Sequence, residues 1–287
     1  MKIGLIGYGY WGKFVARAIA RVGELSVIVD QDPKAAVLAH ETWGPWGTKV
    51  TSEASLAHEL CDAVWIATPN RTHYNDVFDA LNRGLHVLCE KPFVTSVSEA
   101  LVLVEEAEQL GVALMAGHLQ LYTEVQAEAR MLVNQHGLGI AGDYKCETAS
   151  LVRRNVRASL SDGSVLWGIG PHDVAAMIDL WGTNWGVESC DGTTHRIAAN
   201  LWFPDHKIGV SLELDWLAEE RKRMFLIGDR DVALTENVSE PLLVEAQTFS
   251  YLCENPERAS HHRREAVDVT RMLAELETAM SKVRAEV

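Results

Sequence analysis

The chain has 287 residues, 47% of them hydrophobic, and a formal net charge of −14. That length suits about two domains with cores of their own. An acidic chain without a basic block argues against nucleic acid and against an anionic membrane surface as partners, and no stretch of about 18 apolar residues is present to span a bilayer.

The first apolar run, residues 2–6, reads as a strand that feeds into Gly7-Tyr8-Gly9-Tyr10-Trp11-Gly12 and then a helical pattern over 11–22. Lys13, Arg17 and Arg21 interrupt this start, which speaks against a signal peptide. Strand, GxGxxG and helix together make a dinucleotide site. Gly7 allows the sharp turn, Gly9 lets backbone amides approach a pyrophosphate, and Gly12 permits close packing of helix on strand. The phosphates would sit on the helix N-terminus, with Tyr10 and Trp11 inside the loop among the cofactor contacts. The blander alternative is a glycine turn of purely structural use. A second strand, 25–29, ends in Asp30, whose carboxylate is suited to accept from both ribose hydroxyls and to repel a 2′-phosphate. No arginine follows in Asp30-Gln31-Asp32-Pro33, so NAD is expected rather than NADP.

Strand patterns at 48–51, 63–67, 85–89 and 112–116 alternate with helical patterns at 33–40, 52–60, 72–82 and 96–109, which is the rhythm of a doubly wound parallel sheet. Pro33 and Ser52 read as helix starts, Gly84 and Gly111 as stops. The fourth strand ends in Thr68-Pro69-Asn70-Arg71-Thr72-His73 and the fifth in Glu90-Lys91-Pro92, at the carboxyl ends where open α/β sheets bind ligands.

From His118 the rhythm changes. One long helix is followed by a polar stretch holding Arg153, Arg154 and Arg157, a helix at 173–181, and strands at 198–203, 208–216 and 223–227 with no helix between them. A capping helix at 262–283 carries Val267, Met272, Leu273, Leu276 and Met280 as its apolar positions. The fold class is therefore α/β: an N-terminal Rossmann domain over 1–117, and a C-terminal α+β domain over 118–287 with an open, mostly antiparallel sheet. Its exposed face is expected to make a homodimer or homotetramer. Cysteines 61, 89, 146, 190 and 253 are odd in number, scattered and without metal-ligand spacing, so neither a disulfide framework nor a metal site is expected and a reducing, cytoplasmic setting is.

The glycine loop, Thr68-Pro69-Asn70, Glu90-Lys91-Pro92, Gly117-His118 and the segment from Val165 through Trp167 to Pro171-His172-Asp173 together resemble, in order and along essentially the whole chain, the Gfo/Idh/MocA oxidoreductase family. The resemblance implies hydride transfer between NAD and a sugar-like or cyclitol substrate lying between the two domains. It places Lys91 at the junction of nicotinamide and substrate as a catalytic residue. Glu90, Thr68, Pro69, Asn70 and His73 become contacts to the nicotinamide ribose and ring, His73 being compatible also with a plain helix start. It makes His172 the group that handles the proton leaving the substrate hydroxyl. Physically, an ammonium at a sheet's switch point suits polarisation of a hydroxyl or carbonyl, and an imidazole suits the proton step. Read alone, Lys91 is also compatible with a surface strand end, and His172 with a cap on the helix that follows Pro171.

One departure stands out. The family's aspartate four residues before the histidine is Gly168 here. Three readings follow: a weakened dehydrogenase, a reductase of an imine or enone that needs less base, or a silent NAD-binding protein. Restoring aspartate at 168 is expected to raise the rate of a weakened dehydrogenase and to leave a silent scaffold silent. Within the family, Gly117-His118-Leu119-Gln120-Leu121-Tyr122 and the Trp167 to Asp173 segment are similar to the branch of UDP-N-acetyl-aminoglucuronate 3-dehydrogenases. Substrate contacts are then expected from His118, Tyr122, Trp167 and Asp173, with Arg153, Arg154 and Arg157 as guanidinium forks for a carboxylate or diphosphate. The blander readings are core aromatics and an exposed basic loop. No GxSxG, HExxH or GxxxxGK[ST] pattern offers another chemistry. Hydrolysis is compatible only with transient NAD oxidation followed by elimination, as in some relatives.

Overall fold

The structure, a computed structural model, describes residues 1–135, 148–154, 164–218, 222–227, 230–232 and 240–285. Arg157 and Cys146 lie outside the described residues. The chain divides into two compact units, Met1–Gly117 with Leu242–Val267, and His118–Pro241 with Asp268–Val287.

In the first unit, β1 (Lys2–Ile6), β2 (Glu24–Val29), β3 (Lys49–Thr51), β4 (Ala63–Ile66), β5 (His86–Glu90) and β6 (Leu114–Gly117) form one sheet in the order β3-β2-β1-β4-β5-β6. Every pairing is parallel. All six strands of the expected doubly wound sheet are present, each within two residues of its expected bounds. Helices α1 (Gly12–Val22), α2 (Pro33–Trp43), α3 (Ala54–Leu60), α4 (His73–Leu81) and α5 (Val97–Leu110) connect them. Local chemistry sets several boundaries. Asp32 caps α2 by accepting from the Lys34 amide at 3.0 Å, with Pro33 as its first residue, and Gly111 closes α5 at φ 67°. Ser52 does not start α3, because its N-cap is Glu53. Strand order reverses direction between β1 and β4, so the loops after these strands flank the switch point where such sheets bind ligands.

A helix that sequence reading leaves out completes this unit. Pro241–Glu254 is helical (α8) and buries Glu245, Ala246, Phe249, Leu252 and Cys253 along one stripe, with Phe249 edge-on to Trp65 at 6.4 Å. Residues 242–267 therefore group with the glycine-loop unit, whereas the sequence pattern places them in the second domain.

The second unit contains α6 (Glu124–Gln135), β7 (Thr148–Arg154), α7 (Val165–Trp181), β8 (Gly186–Gly192), β9 (Arg196–Phe203), β10 (Ile208–Asp215), β11 (Lys222–Ile227) and β12 (Arg230–Asp231). Its sheet runs β12-β11-β7-β10-β9-β8, and β7 with β10 is the one parallel pair among the described strands of this sheet. Along β9 exposed and buried residues alternate strictly, the mark of a sheet with one covered face. The core is built from Leu201, Phe203, Val210, Leu212 and Leu214 of the sheet with Leu166, Val174, Met177 and Trp181 of α7. The last helix, α9 (Ser260–Ala285), runs from one unit into the other, and all five of its expected apolar positions are buried.

Two expectations for this unit need correction. The helix expected at 173–181 starts at Val165, so His172 lies inside it and is no cap. Apolar burial on nearly every side of α7 outweighs Gly168, Gly170 and Pro171, residues that weaken helices in isolation. Arg153 and Arg154 fall on β7, backbone-paired with Leu214 and Asp215 of β10. No helix among the described residues is long and apolar enough to cross a membrane.

Candidate cofactor and active-site residues

The loop after β1 shows why its glycines are needed. Gly7 sits at φ 99°, and a Cβ there would come within 2.5 Å of the Ala67 carbonyl oxygen. A Cβ at Gly12 would overlap the carbonyl oxygen of Gly7. At Gly9, by contrast, a Cβ would meet nothing within 4 Å. Gly7 and Gly12 thus serve the turn and the helix packing, and Gly9 opens onto space that a pyrophosphate can enter. Tyr10 is 80% exposed beside it and packs edge-on against Phe14.

Asp30, at the end of β2, has its carboxylate fixed from two sides. Oδ2 accepts from the Tyr8 amide at 2.6 Å and Oδ1 from the Asp32 amide at 2.8 Å. Tyr8 is buried, and its hydroxyl accepts from the Trp43 indole at 3.0 Å. A negative charge is thereby held beside the glycine loop, where it fits a dinucleotide's ribose diol.

Glu90 ends β5 and ties the site together. Its Oε1 accepts from the indoles of Trp11 at 2.7 Å and Trp65 at 3.2 Å. Burial pushes its carboxyl up, opposed by the Trp11 hydrogen bond, Lys91, Trp65 and His73. Lys91 follows directly, half-buried, and the Lys91–Pro92 peptide is cis. His73 is buried and bound through both ring nitrogens, Nδ1 to Pro92 O at 2.7 Å and Nε2 to Thr68 O at 2.9 Å. Its ring is therefore a clamp between the Thr68 turn and the Glu90-Lys91-Pro92 segment, and both of its polar atoms are spent on protein. Thr68 donates to Asp76 at 2.6 Å and accepts from Thr72 at 3.0 Å, which fixes the turn that presents Pro69 and Asn70. Cys89 is fully buried and burial pushes its thiol well up, so it is no nucleophile.

Glu245 is a member of this region that sequence reading missed. It is wholly buried on α8, neither of its carboxyl oxygens has a hydrogen-bond partner among the described residues, and burial pushes it well up, with the charges of Glu90 and Glu265 adding to the shift. The available signal was a glutamate on the same helical stripe as Phe249 and Leu252.

In the second unit, His172 is half-buried on α7 between buried Pro171 and Asp173. Trp167, expected as a sugar-stacking residue, is instead a core residue, 5% exposed, with its indole donated to Glu277 at 3.1 Å. His118 is also buried, and Tyr122 packs partly buried against the core. Asp179 of α7 receives a two-pronged contact from Arg130 and a third from Gln126 Nε2 at 2.6 Å, which locks α6 to α7. Gly168 has no room for a side chain: a Cβ would overlap Cζ2 of Trp216 and stand 2.7 Å from its Cη2.

Comparison with known proteins finds a family likeness over the first part of the chain. Residues 1–118 match the model of the oxidoreductase family with an NAD-binding Rossmann fold, Gfo/Idh/MocA. An uncharacterised oxidoreductase of Streptococcus pneumoniae is 32% identical over 154 residues, covering 52% of this chain and 40% of that protein. The UDP-N-acetylglucosamine 3-dehydrogenase of Acidithiobacillus ferrooxidans is 35% identical over 121 residues, 42% of this chain and 37% of that one. The chain thus spans about 40% of the length of these curated relatives in sequence. A solved structure of UDP-N-acetylglucosamine 3-dehydrogenase from the same organism superposes with a TM-score of 0.81 at 21% identity, covering 98% of this chain and 97% of the other, a likeness of fold. The glycine loop, Asp30 and the Glu90-Lys91-Pro92 segment all lie within residues 1–118, the part of the chain that matches the model of that oxidoreductase family.

Proposed function

We propose that the protein is an NAD(H)-dependent oxidoreductase that oxidises a secondary carbinol, or reduces the corresponding ketone, of a sugar, cyclitol or nucleotide sugar. The observation that carries this reading is the Asp30 carboxylate, aimed by the amides of Tyr8 and Asp32 beside a glycine loop with open space at Gly9. When bound, NAD supplies the hydride acceptor.

The protein's own groups do the rest. Backbone amides at the start of α1 hold the diphosphate, and Asp30 holds the adenosine ribose and repels a 2′-phosphate, which selects NAD over NADP. Glu90, fixed by two indoles, orients the end of β5 so that Lys91 presents its ammonium to the substrate oxygen and polarises it. His172 takes the proton that leaves the O–H as the C–H electron pair departs, and returns it in the reverse direction. The remaining expected substrate contacts are His118, Tyr122, Arg153, Arg154, Arg157 and Asp173. Cytoplasmic placement completes the proposal, together with a homodimer or homotetramer through the exposed face of β8 to β10, whose mass light scattering measures.

Gly168 favours a second reading, a reductase of an imine or enone or an NAD binder without turnover, since glycine brings no carboxylate to the turn before His172. Reduced-nicotinamide absorbance, followed on UDP-sugars, free sugars and inositols with NAD and with NADP, separates the two. Turnover with NAD on one class supports the dehydrogenase; tight NAD binding without turnover on any supports the second reading.

A further inference from the structure

Two buried carboxyls of the first unit sit in opposite surroundings. Glu245 on α8 is 0% exposed, lies on the stripe with Ala246, Phe249, Leu252 and Cys253, and has no hydrogen-bond partner at either oxygen among the described residues. An ionised carboxylate held there without a donor is so costly that the group keeps its proton instead. Those surroundings favour the neutral acid. Glu90 is buried as well, yet its Oε1 accepts two indole N–H groups, from Trp11 at 2.7 Å and Trp65 at 3.2 Å, and Lys91 follows it in the chain. Donors and a neighbouring cation favour the charged form. One ring joins the two places: Phe249, a helical turn beyond Glu245 on the same face, packs edge-on against Trp65 at 6.4 Å, and Trp65 donates to Glu90. Burial, then the charge of Glu90, then that of Glu265 on α9 hold the proton on Glu245. Glu265 itself has Nδ1 of His262 at 3.6 Å. On Glu90, burial is opposed by the Trp11 hydrogen bond, Lys91, the Trp65 hydrogen bond and His73.

We propose that Glu245 is a positioning residue for Glu90: the two carboxyls hold one proton between them, Glu245 carrying it and Glu90 the charge. Interacting groups whose surroundings differ in this way titrate as a pair. With Glu245 neutral, Glu90 stays an anion and keeps its hold on Trp11 of the glycine loop. At higher pH Glu245 releases its proton to solvent, which sets two like charges against each other in a low-dielectric interior and weakens that hold. This goes beyond the proposed function, since it concerns the tie between loop and strand and needs neither cofactor nor substrate.

The test follows two signals against pH in the protein alone: the infrared carbonyl stretch of a protonated carboxyl, and the indole N–H NMR resonance of Trp11, assigned by its loss in Trp11→Phe. The parent is expected to show the carbonyl band at neutral pH, and Glu245→Gln to lack it. In Glu90→Gln the band is expected to disappear at a pH lower by about one unit or more, because the like charge is gone. Glu265→Gln is expected to move it less. The Trp11 resonance is expected to shift in the parent at the pH where the band disappears, and this step to be missing in Glu245→Gln. Glu245→Leu, apolar and of similar bulk, repeats the comparison and guards against misfolding of the glutamine variant. Absence of the band at neutral pH, a midpoint unmoved by Glu90→Gln or moved more by Glu265→Gln, or a Trp11 step that persists without Glu245 would overturn the proposal. Absence of NAD-dependent turnover counts against the proposed function alone.

Discussion

Trp11 and Glu90 lie 79 positions apart and are joined by a 2.7 Å hydrogen bond from the indole Nε1 to Oε1. The bond ties the glycine loop to the end of the strand that carries Lys91, so in the proposed function cofactor binding and presentation of the ammonium share one support. Trp11→Phe keeps the ring and loses the donor. With the loop no longer held in place, the Kd for NAD is expected to rise roughly tenfold. Isothermal titration of NAD measures it; an unchanged Kd would remove this support from the account.

In the proposed function Asp30 sets the choice of cofactor. Asp30→Ala removes two acceptors for the ribose diol and the charge that repels a 2′-phosphate. NAD affinity is expected to fall roughly tenfold and the preference for NAD over NADP to shrink. The ratio of kcat/KM for the two cofactors checks it. A preference unchanged in the variant would mean that selection lies elsewhere in the loop.

At Gly7 the backbone is left-handed and a Cβ would press on Ala67 O. Gly7→Ala is expected to cost about 1–3 kcal/mol or more of stability, seen as a lower unfolding midpoint, with NAD binding weakened alongside. At Gly9 a Cβ meets only space. Gly9→Ala should therefore leave the unfolding midpoint nearly unchanged while weakening NAD binding. Equal effects at both positions would contradict this division of labour.

Glu245 makes a pH prediction. Burial, and then the charges of Glu90 and Glu265, push its carboxyl well above the usual range. The folded protein therefore keeps a proton that the unfolded chain releases. That contribution to stability is fully present below the ordinary carboxylate pKa and is lost as pH rises toward the folded-state value. Glu245→Gln removes the dependence. Its unfolding midpoint is expected to exceed the parent's at neutral pH, with the difference closing near about pH 4. Thermal scans across that range measure it, and a difference constant with pH would contradict the assignment.

The first unit was legible because its signals are local. The strands of its parallel sheet other than the short β3 are largely buried on both faces and read as apolar runs, and Gly7, Gly9, Gly12 and Asp30 sit at fixed spacing. What escaped was non-local or contrary to propensity. The helix α8 holds polar residues among its apolar ones and is recognisable once Phe249 is seen against Trp65. Gly168, Gly170 and Pro171 speak against a helix, yet α7 forms because nearly all of it is buried. The pairing of His73 with Pro92 and Thr68 gives that histidine a structural task which its position at a helix start did not reveal. The Trp216 ring fills the space that a Cβ at Gly168, 48 positions away, would need, a matter of packing that no spacing encodes.

The most direct measurement is NAD-dependent turnover of Lys91→Ala beside the parent protein, with NAD affinity measured on both. The expected result is turnover by the parent on one class of sugar-like carbinol, a loss of about 100-fold or more in the variant, and an NAD Kd unchanged within a factor of a few. Turnover retained within a factor of a few in Lys91→Ala would contradict the central claim that this ammonium acts on the substrate oxygen.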